Sequence, residues 1–405
     1  MNPKIAWLLP KLIAGSGGHR TILQHAAILE QSDFDCSLYI EPDGRKIDAA
    51  AEIKQLFDFD FKRVRYGWDN IPSADLVFAT VWYSAKVVKE LPFPCVKAYF
   101  VQDYEACFNP MGDGYLMAES SYRYGLHPVT IGRWLSNRLR LDFGLETDYF
   151  DFCADLSTYR PLNDAVREKA ICFVYQPDKP RRCSRLGIEA LGIVKDRIPD
   201  VNIYLYGSTH KNPVQFNHTN LGLIGLEACN ALYNKCSVGL CISSSNPSRV
   251  PFEMMASGLP VVELWRENTL YDFPEEATLL CDQTPEALAE GIMDLLSNDK
   301  KRVRMGGAAL SYMRQRPLDL GFSQFMQAVI RLLNEQKHQN INPIQKTYTK
   351  PAIVPGPHVA TRPLSGAGGN NIIQGKSHAT RAAKWLGHMQ NLFKSSKVAA
   401  WLRSR

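Results

Sequence analysis

Two successive runs of alternating strands and helices constrain the fold of this chain more than any other feature of its sequence. The first run contains short apolar segments separated by helical patterns, at residues 4–9, 36–40, 76–80 and 96–101. The alternation starts again after Pro161, with strand patterns at residues 170–175, 201–206, 238–242 and 260–264. Strands that alternate with helices are typical of a parallel sheet with helices on both faces. Because 405 residues are too many for one ordinary core, the sequence predicts two α/β domains.

The pattern divides the chain into four segments. Residues 1–158 are predicted to form a first Rossmann-like domain and residues 159–336 a second one. Residues 337–378 are rich in Pro, Gly, Thr and Asn and have no sustained period, which predicts a flexible linker. Residues 379–405 place apolar side chains at helical spacing opposite lysines and arginines, which predicts a basic amphipathic helix. Such a helix suits an anionic membrane surface, and it equally suits docking on a partner or on the body of the protein.

The net charge of +6 is unevenly distributed along the chain. Residues 336–405 contain no Asp or Glu and eleven of the 47 Lys and Arg residues, so residues 1–335 carry 36 basic and 41 acidic side chains, a net charge of −5. An acidic body argues against binding to nucleic acid, which needs basic residues on the fold itself. No segment resembles a membrane span or a signal peptide, and none of the ten cysteines forms a Cys-x-x-Cys pair. We therefore expect a cytoplasmic protein, held at the inner face of the plasma membrane if its tail binds lipid.

A glycine turn follows the first strand. The sequence Gly15-Ser16-Gly17-Gly18 stands between that strand and a helix, where backbone N–H groups of Gly17 and Gly18 can approach a phosphate at the positive end of the helix. The spacing is not that of a dinucleotide-binding turn, since Arg20 occupies the position of the third glycine. A tight turn of this kind also needs glycine for purely steric reasons.

Two adjacent arginines follow the first strand of the second run. Arg181 and Arg182 stand where open α/β sheets bind ligands, and guanidinium groups match a diphosphate and stabilise its charge without a metal ion. The alternative interpretation is a solvated basic turn.

A hydroxyl-rich loop leads into a short helix in residues 243–262. Glu253 falls in the first turn of that helix, where its carboxylate can accept both hydroxyl groups of a ribose while the helix start faces the phosphates. The alternative is a carboxylate that only complements the helix dipole.

These segments together resemble a known family. The string FEMMASGLPVV at residues 252–262 resembles the nucleotide-sugar signature of family 4 of the retaining GT-B glycosyltransferases. YFVQDYE at residues 99–105, SYRYGL at residues 121–126 and the Pro180-Arg181-Arg182 turn are similar to the WsaF-type bacterial rhamnosyltransferases of surface polysaccharide synthesis. The resemblance extends from about Lys4 to about Leu333. It implies an α/β GT-B architecture, in which two Rossmann-like domains face each other across a cleft, here followed by a basic C-terminal tail.

The resemblance also implies roles for individual residues. The donor site would contain Gly17 and Gly18 over the phosphates, Arg181 and Arg182 on the diphosphate and Glu253 on the ribose, and we add Tyr206, Ser244, Ser245 and Arg249. Asp103 and Glu105 would be the catalytic residues, which orient or deprotonate the acceptor hydroxyl. Either acid could instead form a buried salt bridge or a turn cap. Ser245 stands where the family often has a first glutamate, which leaves open how the donor sugar is held.

The function implied by the resemblance is transfer of a hexose, with retention, from a nucleotide-diphosphate sugar to a glycan or lipid-linked glycan acceptor. The donor it implies is dTDP-L-rhamnose, and no cofactor or metal is expected. Asp58-x-Asp60 has the spacing of a metal-binding pair, but it lies in a charged and aromatic run more typical of a strand or a solvated loop. Two alternatives stay open. One is a GT-B transferase that acts on a protein or lipid, and the other is a non-catalytic assembly or scaffold protein of glycan synthesis that binds membranes through its tail.

Overall fold

The computed structural model describes residues 2–42, 44, 48–210, 212–335 and 344–354, and it contains two parallel sheets. The first sheet has the strand order β3-β2-β1-β4-β5-β6-β7. Its strands are β1 Lys4–Leu9, β2 Asp35–Ile40, β3 Val64–Tyr66, β4 Leu76–Ala79, β5 Val96–Val101, β6 His127–Ile131 and β7 Asp148–Phe150. Its helices are α1 Gly17–Gln31, α2 Ala49–Phe57, α3 Trp82–Lys89, α4 Asp113–Ser120 and α5 Arg133–Phe143.

The second sheet has the strand order β10-β9-β8-β11-β12-β13. Its strands are β8 Ala170–Val174, β9 Asn202–Tyr206, β10 Thr219–Asn220, β11 Val238–Leu240, β12 Val261–Leu264 and β13 Thr278–Cys281. The helices that follow in the chain are α6 Ser184–Arg197, α7 Leu226–Lys235, α8 Val250–Ala256, α9 Pro285–Ser297, α10 Asp299–Arg314 and α11 Leu318–Leu333. Each sheet with its helices is a Rossmann-like domain, as the alternation of strands and helices predicts. All ten cysteines are free thiols, consistent with their spacing.

Local sequence explains the central strands. Ile5, Trp7 and Leu8 of β1 are at most 1% exposed, because a strand in the middle of a parallel sheet is covered by helices on both faces. The Trp7 ring stacks on Phe78 of β4 at 4.4 Å between ring centroids. Helix α1 begins directly after Ser16, whose hydroxyl accepts a hydrogen bond from a backbone N–H of the first turn. The glycine turn therefore opens a helix, as predicted.

Helix α11 packs on the first domain, although the sequence assigned residues 159–336 to the second. The ring of Phe325 lies 6.0 Å from that of Trp7 in the first sheet. Gln324 Oε1 accepts the backbone N–H of Asp151, directly after β7, at 2.8 Å. The helix is amphipathic and must bury its apolar face, but amphipathicity does not specify which of two sheets covers that face. Helix α11 thus belongs with the first sheet.

Residues 344–354 also differ from the prediction, which places them in a flexible linker. The backbone N–H of Ala352 donates to the Leu280 carbonyl at 2.8 Å, and Ile353 pairs with Cys281 in a parallel bridge. Tyr348 is 3% exposed. These residues extend the second sheet beside β13, whose outer backbone groups were otherwise unpaired. The other residues of the predicted linker, 337–343 and 355–378, lie outside the described residues. So does the predicted helix at 379–405, and both assignments stay predictions.

Two contacts near the crossing between the domains set their relative position. The rings of Phe152, Phe252 and Phe273 form a stack with centroid distances of 4.6 and 4.8 Å. Asp272 of the second domain accepts the backbone N–H of Arg133, at the start of α5, with both carboxylate oxygens at 3.0 and 3.2 Å. The edge of the first sheet that holds the carboxyl ends of its strands therefore faces the second domain. Within the described part of the chain, no helix is both long and apolar enough to cross a bilayer.

Candidate functional site

A buried cluster around Asp103 joins the two domains just after β5. Asp103 is 6% exposed, and each of its carboxylate oxygens accepts two hydrogen bonds. Oδ1 accepts the backbone N–H groups of Tyr104 at 2.9 Å and Asn246 at 2.8 Å. Oδ2 accepts from Arg181 Nε at 3.2 Å and from Ser245 Oγ at 3.1 Å. Because a carboxylate offers about four acceptor sites, Asp103 is fully engaged, mostly by donors of the second domain.

The loop of residues 243–246, here called the serine loop, is held from both domains. Ser245 is fully buried, and its hydroxyl group is the one that donates to Asp103. Ser244 donates its backbone N–H to the Arg181 carbonyl at 2.9 Å. The side-chain amide of Asn246 donates to two carbonyls of the first domain at 2.9 and 3.0 Å, those of Gln102 and Ile131. The loop is therefore an interdomain contact as well as a wall of the candidate site.

Two residues that the sequence analysis did not identify, Glu263 and Asn268, hold the serine loop in place through hydrogen bonds. Glu263 Oε1 accepts the backbone N–H of Ser243 at 2.7 Å, and Asn268 Nδ2 donates to the Ser243 carbonyl at 3.0 Å. Glu263 is 1% exposed, and its burial raises the pKa of the carboxyl group to about 8. A glutamate inside the otherwise apolar strand β12 was the available signal, since buried acids need partners.

The arginine pair lies at the carboxyl end of β8, in the 3-10 turn Pro180–Arg182. The Arg181 guanidinium lies over the Phe108 ring at 4.2 Å, and burial lowers the pKa of Arg181. Arg182 Nη1 donates to Ser243 Oγ at 2.8 Å. Helix α6 begins immediately afterwards at Ser184, so its positive end adds to the charge of the two guanidinium groups. Both arginines are thus held by partners within the protein, and their role in binding a diphosphate stays a prediction.

A second interdomain contact lies beside the glycine turn. Arg249 Nη1 donates to Gln24 Oε1 at 2.7 Å and to Thr21 Oγ1 at 3.3 Å, both on α1. Thr21 in turn donates to the Gly17 carbonyl at 2.9 Å. Gly17 and Gly18 are exposed, and a Cβ atom at Gly17 would meet no atom within 4 Å. The turn is therefore exposed, and Arg249 reaches the helix that follows it.

Glu253 lies one turn beyond Arg249, in the first turn of α8. Burial raises the pKa of its carboxyl group, and the Arg249 charge and a hydrogen bond with the Tyr159 hydroxyl oppose that rise. Arg20 of α1 also stabilises the ionised form. Glu253 is thus a shielded acceptor next to the helix start and the glycine turn, where the sequence predicts a ribose contact.

Glu105 is buried beneath the start of α3 and not exposed to the space between the domains. It is 3% exposed, and Oε2 accepts the backbone N–H of Trp82, the first residue of α3, at 2.6 Å. Its own backbone N–H donates to the Tyr122 hydroxyl at 2.9 Å. Burial raises the pKa of Glu105 to about 8, so that the carboxyl group is largely protonated at neutral pH.

The structure groups the predicted residues in two clusters that both join the domains. The first contains Asp103, Arg181, Arg182, Ser244 and Ser245, and the second contains Gly17, Gly18, Arg249 and Glu253. Tyr206 is in neither, since it is 4% exposed and its hydroxyl lies 2.8 Å from that of Tyr233. Asp103 forms a buried salt bridge, and Glu105 caps the start of α3. These are the two roles that the sequence analysis left open as alternatives to catalysis. The catalytic assignment of the two acids stays a prediction.

The raised pKa of Glu105 predicts a specific pH dependence of stability. Because the folded-state pKa of about 8 exceeds the ordinary value of 4.5, the unfolded state ionises first, and this group costs stability as pH rises from about 4.5 to 8. We expect Glu105→Gln to gain ~3 °C in Tm relative to the wild type between pH 5 and pH 8. Thermal denaturation at both pH values measures this gain. The surface variant Glu189→Gln is the control, and an equal pH response of all three proteins would contradict the burial of an acid at position 105.

The positions of the His, Cys, Asp and Glu side chains show where a metal ion could be held. Across the described residues, no group of three or more His, Cys, Asp or Glu side chains is arranged to hold a metal ion. Asp58 and Asp60, which have the spacing of a metal-binding pair, lie 2.7 and 2.8 Å from Lys54 Nζ. The two acids are therefore partners of a lysine at the end of α2.

Comparison with known sequences supports the relationship to WsaF. A family model described as WsaF, C-terminal domain, matches residues 169–293. The O-antigen biosynthesis protein RfbC of Myxococcus xanthus is 28% identical over 317 residues, which make up 74% of this chain and 25% of RfbC. The chain therefore spans about a quarter of the length of that relative.

Comparison with solved structures shows the architecture. HepE of Anabaena, solved in complex with UDP and glucose, has a TM-score of 0.63 and 13% identity over 82% of this chain and 100% of HepE. TarM of S. aureus, solved with fondaparinux, alpha-GlcNAc-glycerol and UDP, has a TM-score of 0.66 and 9% identity over 82% of this chain and 100% of TarM. Identities this low show the fold alone, and they confirm the predicted fold class. The chain thus has the GT-B fold, and its residues 169–293 match the family model of the WsaF C-terminal domain.

Proposed function

We propose that this chain is a glycosyltransferase that moves a hexose from a nucleoside-diphosphate sugar to a glycan acceptor of a surface polysaccharide. In this proposal the donor is dTDP-L-rhamnose, the anomeric configuration is retained and no metal ion takes part. The WsaF-type domain and the similarity to an O-antigen biosynthesis protein support the class of pathway. The sugar, the retention and the independence of metal rest on the sequence resemblance to rhamnosyltransferases.

The single observation that carries the proposal is the arginine pair. Arg181 and Arg182 project from the carboxyl end of β8 at the start of α6, next to the serine loop and against the first domain. When a glycosyl–phosphate bond breaks, negative charge develops on the departing diphosphate. Two fixed guanidinium groups and a helix N-terminus stabilise that charge without reorganising, which lowers the barrier to departure.

The second cluster supplies the other half of the donor site. In our proposal the exposed Gly17 and Gly18 N–H groups approach the phosphates from the first domain, and Glu253 accepts the ribose hydroxyl groups. HepE and TarM were each solved in complex with UDP, which supports a nucleoside diphosphate as the ligand of this architecture. Arg249 of the second domain connects this cluster to the first domain through its hydrogen bond to Gln24 of α1.

Asp103 takes a supporting role in the same proposal. Asp103 holds Arg181 and the serine loop in place, so it positions the charge that meets the diphosphate. Ser245, at the position of the missing first glutamate, is bonded to that carboxylate. A carboxylate is thus present beside position 245, but it comes from the opposite domain.

A thermal-shift screen tests the proposal. The full chain is heated with dTDP, UDP, GDP, ADP or CMP, with and without EDTA. A nucleotide that binds only the folded state raises Tm by mass action, and we expect dTDP to raise it by ~2 °C or more at saturating concentration, unchanged by EDTA. If another nucleotide raises Tm and dTDP does not, the donor carries the base of that nucleotide. If EDTA abolishes the shift, the metal-free mechanism is wrong. No shift with any nucleotide would favour the non-catalytic scaffold protein.

A further inference from the structure

A cluster of aromatic side chains lies on the same edge of the first sheet as the glycine turn and Asp103. Trp68 follows β3, Glu41 follows β2, and Trp82 and Tyr83 begin α3 directly after β4. Because all strands of the sheet are parallel, these residues share the edge formed by the carboxyl ends of the strands. In the strand order, β2 and β3 lie on one side of β1 and its glycine turn, and β4 lies on the other side, next to β5. The cluster therefore draws its residues from both sides of the glycine turn.

The aromatic rings pack against one another, and two of them also form hydrogen bonds. Ring centroids of Trp82 and Tyr83 are 5.3 Å apart at 88°, and those of Trp68 and Tyr83 are 5.8 Å apart at 33°. The Tyr83 hydroxyl donates to Glu41 Oε2 at 2.8 Å, and Trp68 Nε1 donates to the Tyr39 carbonyl at 2.9 Å. All three rings are only half-buried. The cluster, here called the aromatic platform, is therefore partly exposed and is held in place by hydrogen bonds.

The platform is flanked by one unused donor and one unused acceptor. Within the described residues, neither the Nε1–H of Trp82 nor Oε1 of Glu41 forms a hydrogen bond, and neither atom is buried. Glu105 anchors the platform from below by accepting the Trp82 backbone N–H. The buried carboxyl group of Glu105, which the sequence analysis assigned as catalytic, thus connects the platform to the segment after β5 that contains Asp103.

We propose that Trp68, Trp82, Tyr83 and Glu41 form a subsite for a neutral pyranose ring of the acceptor glycan. The C–H face of a pyranose is weakly positive and packs on the negative face of an aromatic ring, while its hydroxyl groups pair with the carboxylate and the indole N–H. A lipid chain would leave these two polar groups unpaired, which argues for a sugar in this position. The inference rests on the proposed glycosyltransferase function and specifies the acceptor class.

Saturation-transfer NMR on the full chain tests the subsite without donor. The probes are three defined trisaccharides, of rhamnose, mannose and galactose. We expect at least one to bind the wild type, and Trp82→Ala and Glu41→Gln to weaken that binding ~10-fold or more, since anchors of this type dominate binding. Trp82→Phe keeps a ring and should retain most of the binding. Tyr204→Ala, which removes a half-buried ring of the second domain, is the matched control and should bind as the wild type does.

The nucleotide thermal shift on the same proteins separates the two proposals. If the nucleotide shift is present and no trisaccharide binds, or Trp82→Ala and Glu41→Gln bind as the wild type does, the subsite is wrong and the transferase proposal stands. If no nucleotide shifts Tm but trisaccharide binding depends on Trp82 and Glu41, the subsite stands and the transferase proposal fails. A fall in binding of the Tyr204→Ala control equal to that of Trp82→Ala would also overturn the subsite.

Discussion

Replacing Arg181 and Arg182 together by alanine is expected to lower turnover of the nucleotide sugar by ~10³-fold or more. Removing one preorganised group that stabilises developing charge commonly costs ~10²–10³-fold, and this double change removes two. Arg182→Ala alone should cost ~10²-fold. Among the described residues its guanidinium group donates to the Ser243 hydroxyl, whereas that of Arg181 is paired with the buried Asp103, so this single change leaves the Asp103 pair in place. The effect should fall mainly on the chemical step, since charge on the diphosphate develops as the bond breaks.

The measurement is release of nucleoside diphosphate from the donor, with Tm recorded for each variant. Arg185→Ala is the matched control, since Arg185 is an exposed arginine of α6 that pairs with Glu189 one turn away. It removes the same charge three residues from Arg182 and should leave turnover within ~3-fold of the wild type. Equal turnover of the double variant and this control would contradict the role given to the arginine pair.

Replacing Asp103 by alanine is expected to destabilise the protein by about 3–5 kcal/mol, because it leaves a largely buried arginine without its acid. It also strips the acceptor from two backbone N–H groups and the Ser245 hydroxyl. We expect Tm to fall by ~5 °C or more and turnover to fall with it, since Arg181 and the serine loop lose their fixed positions. Asp103→Asn should fall between the alanine variant and the wild type.

Thermal and urea denaturation measure this effect. Asp200→Ala is the control, since Asp200 forms an exposed ion pair with Lys169 and its loss should leave the unfolding midpoint almost unchanged. If Asp103→Ala were as stable as Asp200→Ala, the interdomain cluster would not hold the domains together. A loss of turnover in Asp103→Asn with unchanged Tm and an altered pH profile would instead favour the acid as the catalytic base.

Much of the fold was predictable because its signals are local. The strand patterns at residues 4–9, 96–101 and 260–264 match strands β1, β5 and β12, since buried parallel strands are short apolar runs bounded by turns. The position of α11 was not predictable, since its apolar face fits either sheet. The packing of residues 344–354 beside β13 could not be predicted either. This segment contains Pro and Thr and few apolar residues, so its sequence has no period that indicates a strand.

The site was predictable where a residue acts through its position in a strand-to-helix turn. Arg181, Arg182 and the glycine turn are of this kind, since strand ends and helix starts are visible in the sequence. The bonds of Asp103 to Arg181 and the serine loop connect residues more than 60 positions apart in sequence. Such pairings depend on how the domains face each other. For the same reason the pairing of Glu41 with Tyr83 could not be inferred. Glu263 stands out inside an apolar strand, but the sequence does not indicate that its partner is Ser243.

The central claim is that the cleft between the domains is a nucleotide-sugar transferase site, and turnover tests it most directly. The full chain is incubated with dTDP-L-rhamnose and, separately, with the UDP and GDP sugars, and release of nucleoside diphosphate is followed beside the Glu253→Gln variant. We expect release from one class of donor, in the presence of EDTA, and a loss of ~10²-fold or more in Glu253→Gln at unchanged Tm. Release from no donor, or equal release by the wild type and Glu253→Gln, would contradict it.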